Sequence, residues 1–237
     1  MIKKQSRKKY LLCFYIVLFV VKEEFLLKIT AITQQLHHPE RYSVFIDDDF
    51  AFGLPIQDIA YFKLKEGEEI AQNKYDFIKN ELIYVKAQDT ALNYISYKMR
   101  TEKEVRTKLF EKEFTEDIIE RVINFLIEYH YVDDEKYCES YIKQRLRCNP
   151  KGSYVLKMEL KQRGIKESII CRTLEQVNID EFGDAVKLLE KKCLYLEKID
   201  EKEKKRLSAF LQRRGYSYDI IKESFEYVTK NKYKGET

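Results

Sequence analysis

The 237-residue sequence predicts a mostly α protein. The expected architecture is tandem three-helix repeats forming an elongated right- or left-curved array, preceded by a small β-containing N-terminal region. Three observations carry that prediction. The stretch ELKQRGIKESII, starting at Glu159, returns 51 residues later as FLQRRGYSYDII and 51 residues earlier as KLFEKEFTEDII, a spacing that marks a repeated unit. Only seven glycines and three prolines punctuate the chain, and after Ala71 the one proline is Pro150. Beyond that point apolar residues recur at helical intervals, as in Ala87, Ala91, Tyr94 and Ile95, then Ile118, Ile119, Val122 and Leu126.

In chain order, residues 1–25 form an atypical basic and hydrophobic extension. MIKKQSRKK carries five positive charges and is followed by YLLCFYIVLFVV at residues 10–21. That run is shorter than the roughly 20 residues of a spanning helix. It has the length of a signal-peptide core, but no A-x-A-like cleavage site follows. An export signal, a buried first strand and an upstream extension outside the functional domain all stay open, with the extension favoured.

Residues 26–70 make the small β-rich region. LLKITAITQQL and YSVFIDDDFAFGLPI, separated by HHPER, read as a hairpin, with Asp47–Asp49 forming the next tight turn. The expectation is a three-stranded sheet, too small to stand without a helix against it. Pro55 opens the short helix PIQDIAYF, and KLKEGEEI reads as a turn into the helical region. A turn accounts for the three aspartates without a metal, because consecutive carboxylates on an extended chain point to opposite faces. His37-His38 reads as a polar turn, and His130 as a helix-end cap or surface residue.

Residues 71–130 hold a helical linker and repeat 1, residues 131–179 repeat 2 and residues 180–237 repeat 3. Expected helices span 86–97, 101–112 and 115–128, then 134–147, 151–163 and 166–177, then 181–196, 200–213 and 217–230. Val105, Leu156 and Leu207 fall on one register of the repeat, as do Ile123, Leu174 and Phe225. Thr101 and Glu104 fit a capping box, and Asp133 caps through its carboxylate. Gly164 and Gly215 stand where a positive φ ends the second helix. Glu113 replaces that glycine in repeat 1, which must turn differently or accept strain.

The formal charge of +4 resides in residues 1–9; the remaining chain sums to about −1. Between Lys143 and Arg172, nine Lys and Arg face only Glu159 and Glu167. This segment is either a contact surface for an acidic partner or phosphate backbone, or a solvated face. Arg100, Lys143, Arg145, Arg147, Lys151, Lys157, Lys161 and Arg163 are the partner-binding candidates, with Lys143 and Arg147 one helical turn apart. Lys161 and Arg163 also suit a helix C-terminus. Tyr137, Tyr141 and Tyr154 are either recognition aromatics or core. The five cysteines (Cys13, Cys138, Cys148, Cys171 and Cys193) are scattered and odd in number, as in a reducing cytoplasm. No phosphate loop, dinucleotide fingerprint or nucleophile elbow occurs. No catalytic, cofactor-binding or metal-binding residue is therefore expected, nor any small-molecule substrate.

The run ALNYISYKMRTEKEVRTKLFEKEF at 91–114, then VINFLIEYHYVDDEKY, then KGSYVLKMELKQRGI at 151–165, resembles RecX-family recombination regulators in order and over about residues 28–237. Tyr97, Arg100, Glu104, Val105, Leu109 and Leu126 match the first repeat of that family. Tyr131, Val132, Asp133, Asp134, Tyr137, Tyr141 and Arg145 match the second, and Lys151, Gly152, Leu160, Gly164 and Ile165 its central signature. The resemblance implies a non-enzymatic cytoplasmic protein that binds the RecA nucleoprotein filament and restrains filament growth, ATPase and strand exchange. It also leaves open contact with single- or double-stranded DNA; the alternative reading is a non-specific DNA-binding helical-repeat protein. No stable membrane partner is implied. Ser153 stands where many relatives have proline, and Lys143 where arginine is frequent, which weakens a carried-over bidentate contact.

Overall fold

The computed structural model describes residues 26–36, 38–194 and 199–234, so the readings of residues 1–25 and of His37 lie outside it. Among the described residues, those up to Thr90 with Leu109–Glu120 form one compact unit. Ala91–Lys108 with the residues from Arg121 onward form the other. No described helix is long and apolar enough to cross a membrane.

The first unit opens with β1 (Leu26–Gln34), β2 (Arg41–Ile46) and β3 (Asp49–Pro55), followed by α1 (Ile56–Tyr61) and β4 (Glu69–Ala71). All pairings are antiparallel, and the sheet order is β3-β2-β1-β4. The sheet thus has four strands where three were expected. Its fourth, only three residues long and starting within the stretch read as a turn, pairs with Leu26–Lys28. So short a strand has no room to display an alternating pattern. Asp47 and Asp48 both take left-handed backbone between β2 and β3, the two-residue turn whose twist suits a hairpin. The Asp47 carboxylate accepts from the Lys28 N–H at 3.2 Å, and the Asp48 N–H donates to Thr30 Oγ1 at 3.0 Å. The aspartates therefore pin the turn to β1. Ile29, Val44, Phe52, Leu54, Ile59 and Ile70 are buried here, and α2 (Gln72–Phe77) runs through a π-helical turn, Ile78–Ile83, into α3 (Tyr84–Ser96).

Three helices per repeat follow. They are α3, α4 (Glu102–Phe110) and α5 (Glu116–Glu128); α6 (Asp134–Cys148), α7 (Ser153–Gln162) and α8 (Glu167–Val177); and α9 (Glu181–Cys193), α10 (Glu201–Arg213) and α11 (Tyr218–Lys234). The fold is mostly helical, in tandem three-helix domains after a small β-containing region. Repeat 2 closes on Cys138, Ile142, Leu156, Leu160, Ile165 and Ile170. Repeat 3 closes on Ala185, Leu189, Leu207, Leu211, Ile221 and Phe225. Leu156 and Leu207 occupy equivalent places in those cores, as their shared register requires. Leu174 is half-buried at the edge of its cluster while its equivalent Phe225 is buried.

The corner between second and third helix is the same in all three repeats. Glu113, Gly164 and Gly215 have φ of 59°, 87° and 90°. Each donates its N–H three residues back, to Phe110, Lys161 and Gln212, at 2.8–2.9 Å. The next residue (Phe114, Ile165 or Tyr216) donates to the carbonyl of Leu109, Leu160 or Leu211 at 3.2–3.3 Å and is buried. That pair of bonds with its apolar anchor is the Schellman arrangement, which satisfies carbonyls the helix end leaves open. Repeat 1 accepts strain rather than turning differently. Thr101 and Glu104 exchange the two capping-box bonds at 3.2 Å, and Asp133 accepts from the Glu135 and Lys136 N–H groups at 3.0 Å.

Successive repeats are joined by contacts that also recur with the 51-residue period. Thr101 Oγ1 donates to the Arg163 carbonyl at 2.8 Å; one period on, the Gly152 N–H donates to the Arg214 carbonyl at 2.9 Å. The second helix then begins beneath an acidic side chain of the following repeat. Asp134 accepts from the Glu102 N–H at 2.9 Å, and Glu181 from the Ser153 N–H at 2.7 Å. An acceptor there satisfies an orphan donor and faces the positive helix end. Burial nevertheless pushes the Asp134 carboxyl up, against the lowering effect of the Glu102 N–H.

Candidate partner-binding surface

The basic stretch folds so that its two carboxylates collect four of its nine cations. Glu159, on α7, receives the Tyr141 hydroxyl at 2.8 Å, lies 3.4 Å from Arg145 Nε and pairs with Lys151. Burial alone would raise this carboxyl, but Lys151, Tyr141 and Arg145 outweigh it and hold it below the usual range. Glu167, the first residue of α8, pairs with Lys157 at 2.5 Å and Lys161 at 2.7 Å. These two lysines lie one turn apart on α7, so a single carboxylate across the corner reaches both. They depress Glu167 to about 2.

Of the other candidates, Lys143 pairs with Glu139 on its own helix. Arg163 bonds Glu104 at 3.0 Å and the Tyr137 hydroxyl at 2.8 Å, which places it in the joint between repeats 1 and 2. Arg100 lies over Tyr94, its guanidinium carbon 4.0 Å from the ring centroid. Arg147 is exposed, with no ion pair among the described residues. Six of the eight candidates are therefore internally paired, and Arg100 and Arg147 are not. The fold does not bring all eight to one patch of free charge.

It does bring together a groove that the linear reading did not assemble. Lys98 and Met99, from the turn between α3 and α4, line it with Tyr137, Ser140, Tyr141 and Gln144 of α6 and with Arg163. The Tyr137 and Tyr141 rings stack 6.2 Å apart at 13°, and Arg163 and Arg145 sit 5.0 and 5.1 Å from the Tyr141 centroid. Tyr137 is buried, Tyr141 half-buried and Tyr154 exposed, so the three tyrosines split between core and surface. Lys98 and Met99 were missed because a lone lysine and methionine in a turn carry no pattern. Their signal was proximity to Tyr97 and Arg100. Elsewhere on the same unit, His130 closes α5 in left-handed backbone. It lines a second hollow with Glu102, Asp133, Asp134 and Glu135. Among the described residues no cluster of His, Cys, Asp and Glu has a metal-holding arrangement, and no disulfide joins the four described cysteines.

Comparison with known proteins gives four family matches in chain order. Residues 27–71 match the regulatory protein RecX N-terminal domain, and 87–126, 133–174 and 180–224 the first, second and third three-helix domains of RecX. The chain is similar to the regulatory protein RecX of Clostridium perfringens, 36% identical over 211 residues that cover 87% of this chain and 98% of that one. It is 33% identical to the Bacillus subtilis regulatory protein RecX over 202 residues, covering 84% of this chain and 76% of that one. The crystal structure of RecX from Lactobacillus salivarius superposes with a TM-score of 0.57 at 32% identity, covering 62% of this chain and 97% of that one.

Proposed function

The chain belongs to the RecX family of regulatory proteins, non-catalytic modulators of the RecA recombinase. On that premise we propose that it acts in the cytoplasm by binding the RecA nucleoprotein filament and restraining its growth, ATPase and strand exchange. The observation that carries this reading is the run of three like domains joined by like contacts. A surface repeated along one chain meets a polymer of identical subunits at several points, so weak local contacts add up to a firm one. Arg100 and Arg147, with the exposed Lys143 and Lys161, are the proposed meeting points. Arg145, Lys151, Lys157 and Arg163 serve by holding the helices that display them.

Direct, non-specific DNA binding is the second reading, and the internal pairing of the basic stretch weighs against it. Phosphate neutralisation draws on cations that are free to exchange counterions. The test is filament ATPase and co-sedimentation with purified RecA on single-stranded DNA, alongside a salt titration on DNA alone. Slower ATP turnover and co-sedimentation, with weak DNA affinity near 50 mM salt, are expected. Unaltered ATPase and an empty pellet would reject filament regulation. Tight, salt-steep DNA binding would favour the second reading.

A further inference from the structure

We propose that the groove between Lys98-Met99 and the Tyr137–Tyr141 pair seats an acidic peptide segment on the protein surface of the filament; this rests on the filament reading above. Charge is the first reason. Lys98 and Arg163 line the groove, and no carboxylate stands among its described lining residues. Glu104 and Glu159 engage Arg163 and Arg145 from outside that lining. Lys98 is exposed and has no ion pair among the described residues, so its ammonium is available to an incoming carboxylate. The hollow lined by Glu102, Asp133, Asp134 and Glu135 has the opposite sign, and would turn the same segment away.

Chemistry decides between peptide and nucleic acid. A base needs an open aromatic face. Tyr137 and Tyr141 stack on each other, and the Tyr141 ring is flanked by both Arg145 and Arg163. A phosphate backbone needs a row of free cations, and most of the neighbouring ones are engaged. What stays open is the Lys98 ammonium, the polar Ser140 and Gln144 side chains, and Met99, half exposed at 50%. Carboxylates beside a small apolar group match that set. Methionine adapts its shape to such a group at little cost.

The test is fluorescence anisotropy with a fluorescein-labelled Asp/Glu-rich peptide, its Asn/Gln counterpart and a labelled single-stranded oligonucleotide, run beside filament co-sedimentation. Lys98→Glu with Gln144→Glu is compared with the wild type and with Lys202→Glu on α10, circular dichroism confirming the fold of each. The groove variant should lose about tenfold or more in affinity for both the acidic peptide and the filament, a loss of the size expected when like charge meets like charge. Lys202→Glu should change neither, and the Asn/Gln peptide should bind poorly throughout. Wild-type affinity of the folded groove variant for the acidic peptide overturns the proposal, as does a loss confined to the oligonucleotide. If the wild type itself leaves filaments untouched, the filament reading falls, and the peptide titration alone decides the groove.

Discussion

Glu113 holds a backbone conformation that its side chain opposes. Its φ of 59° lies in the region where Gly164 and Gly215 sit, and the hydrogen bonds on either side are those of the glycine corners. A residue with a Cβ loses roughly 1–2 kcal/mol there, and part of a switch to glycine is lost again to the freer unfolded chain. Glu113→Gly should therefore stabilise the protein by about 1 kcal/mol, read as a higher midpoint in urea or heat. An unchanged or lower midpoint would mean that the glutamate side chain offsets the strain. The substitution of glycine by Glu113 was legible in the 51-residue alignment. Its resolution was not, because helix propensity opposes the left-handed corner while the buried Phe114 and the two carbonyl bonds favour it. Only the pairing of those bonds says which wins.

The same limit appears at the scale of helices. Counting charges between Lys143 and Arg172 finds an excess of cations. It does not find that Glu159 ties α6 to α7, or that Glu167 bridges two lysines across the α7–α8 corner. Helix spans, caps and corners were readable because they depend on neighbours in sequence. The Glu159 and Tyr137–Arg163 contacts depend on residues 18 and 26 positions away. Glu167 gives this pairing a pH signature. Its carboxyl is depressed from the ordinary 4.5 to about 2, so its contribution is full above 4.5 and fades as the pH falls toward 2. The stability difference between wild type and Glu167→Gln should shrink over that window. Urea unfolding at stepped pH measures it, and a difference that stays constant from neutral pH down to 2 would refute the bridge.

At the scale of the repeats, the sequence period and the physical joint are two expressions of one constraint. Thr101 and Gly152 stand one period apart, as do Arg163 and Arg214, and each pair of equivalents links neighbouring repeats through the arginine carbonyl, Thr101 donating its hydroxyl and Gly152 its backbone N–H. The alignment could name these equivalents; it could not say that they meet. At the second joint the approach is closest, and it is backbone on backbone. A Cβ on Gly152 would lie 2.3 Å from the Gly215 carbonyl oxygen, although the φ of −67° at Gly152 suits any residue. Arg214 fastens the same place, donating to Asn149 and, at 3.0 Å, to the Pro150 carbonyl. Gly152→Ala should thus push repeats 2 and 3 apart while leaving the core of each repeat whole, since neither core includes Gly152. If binding along the filament depends on correctly spaced repeats, the variant should keep its helical circular dichroism and lose about tenfold or more in filament affinity, because mis-set spacing forfeits simultaneous contact. Full filament affinity in a folded Gly152→Ala protein would show that one repeat suffices, and would remove the reason for the tandem.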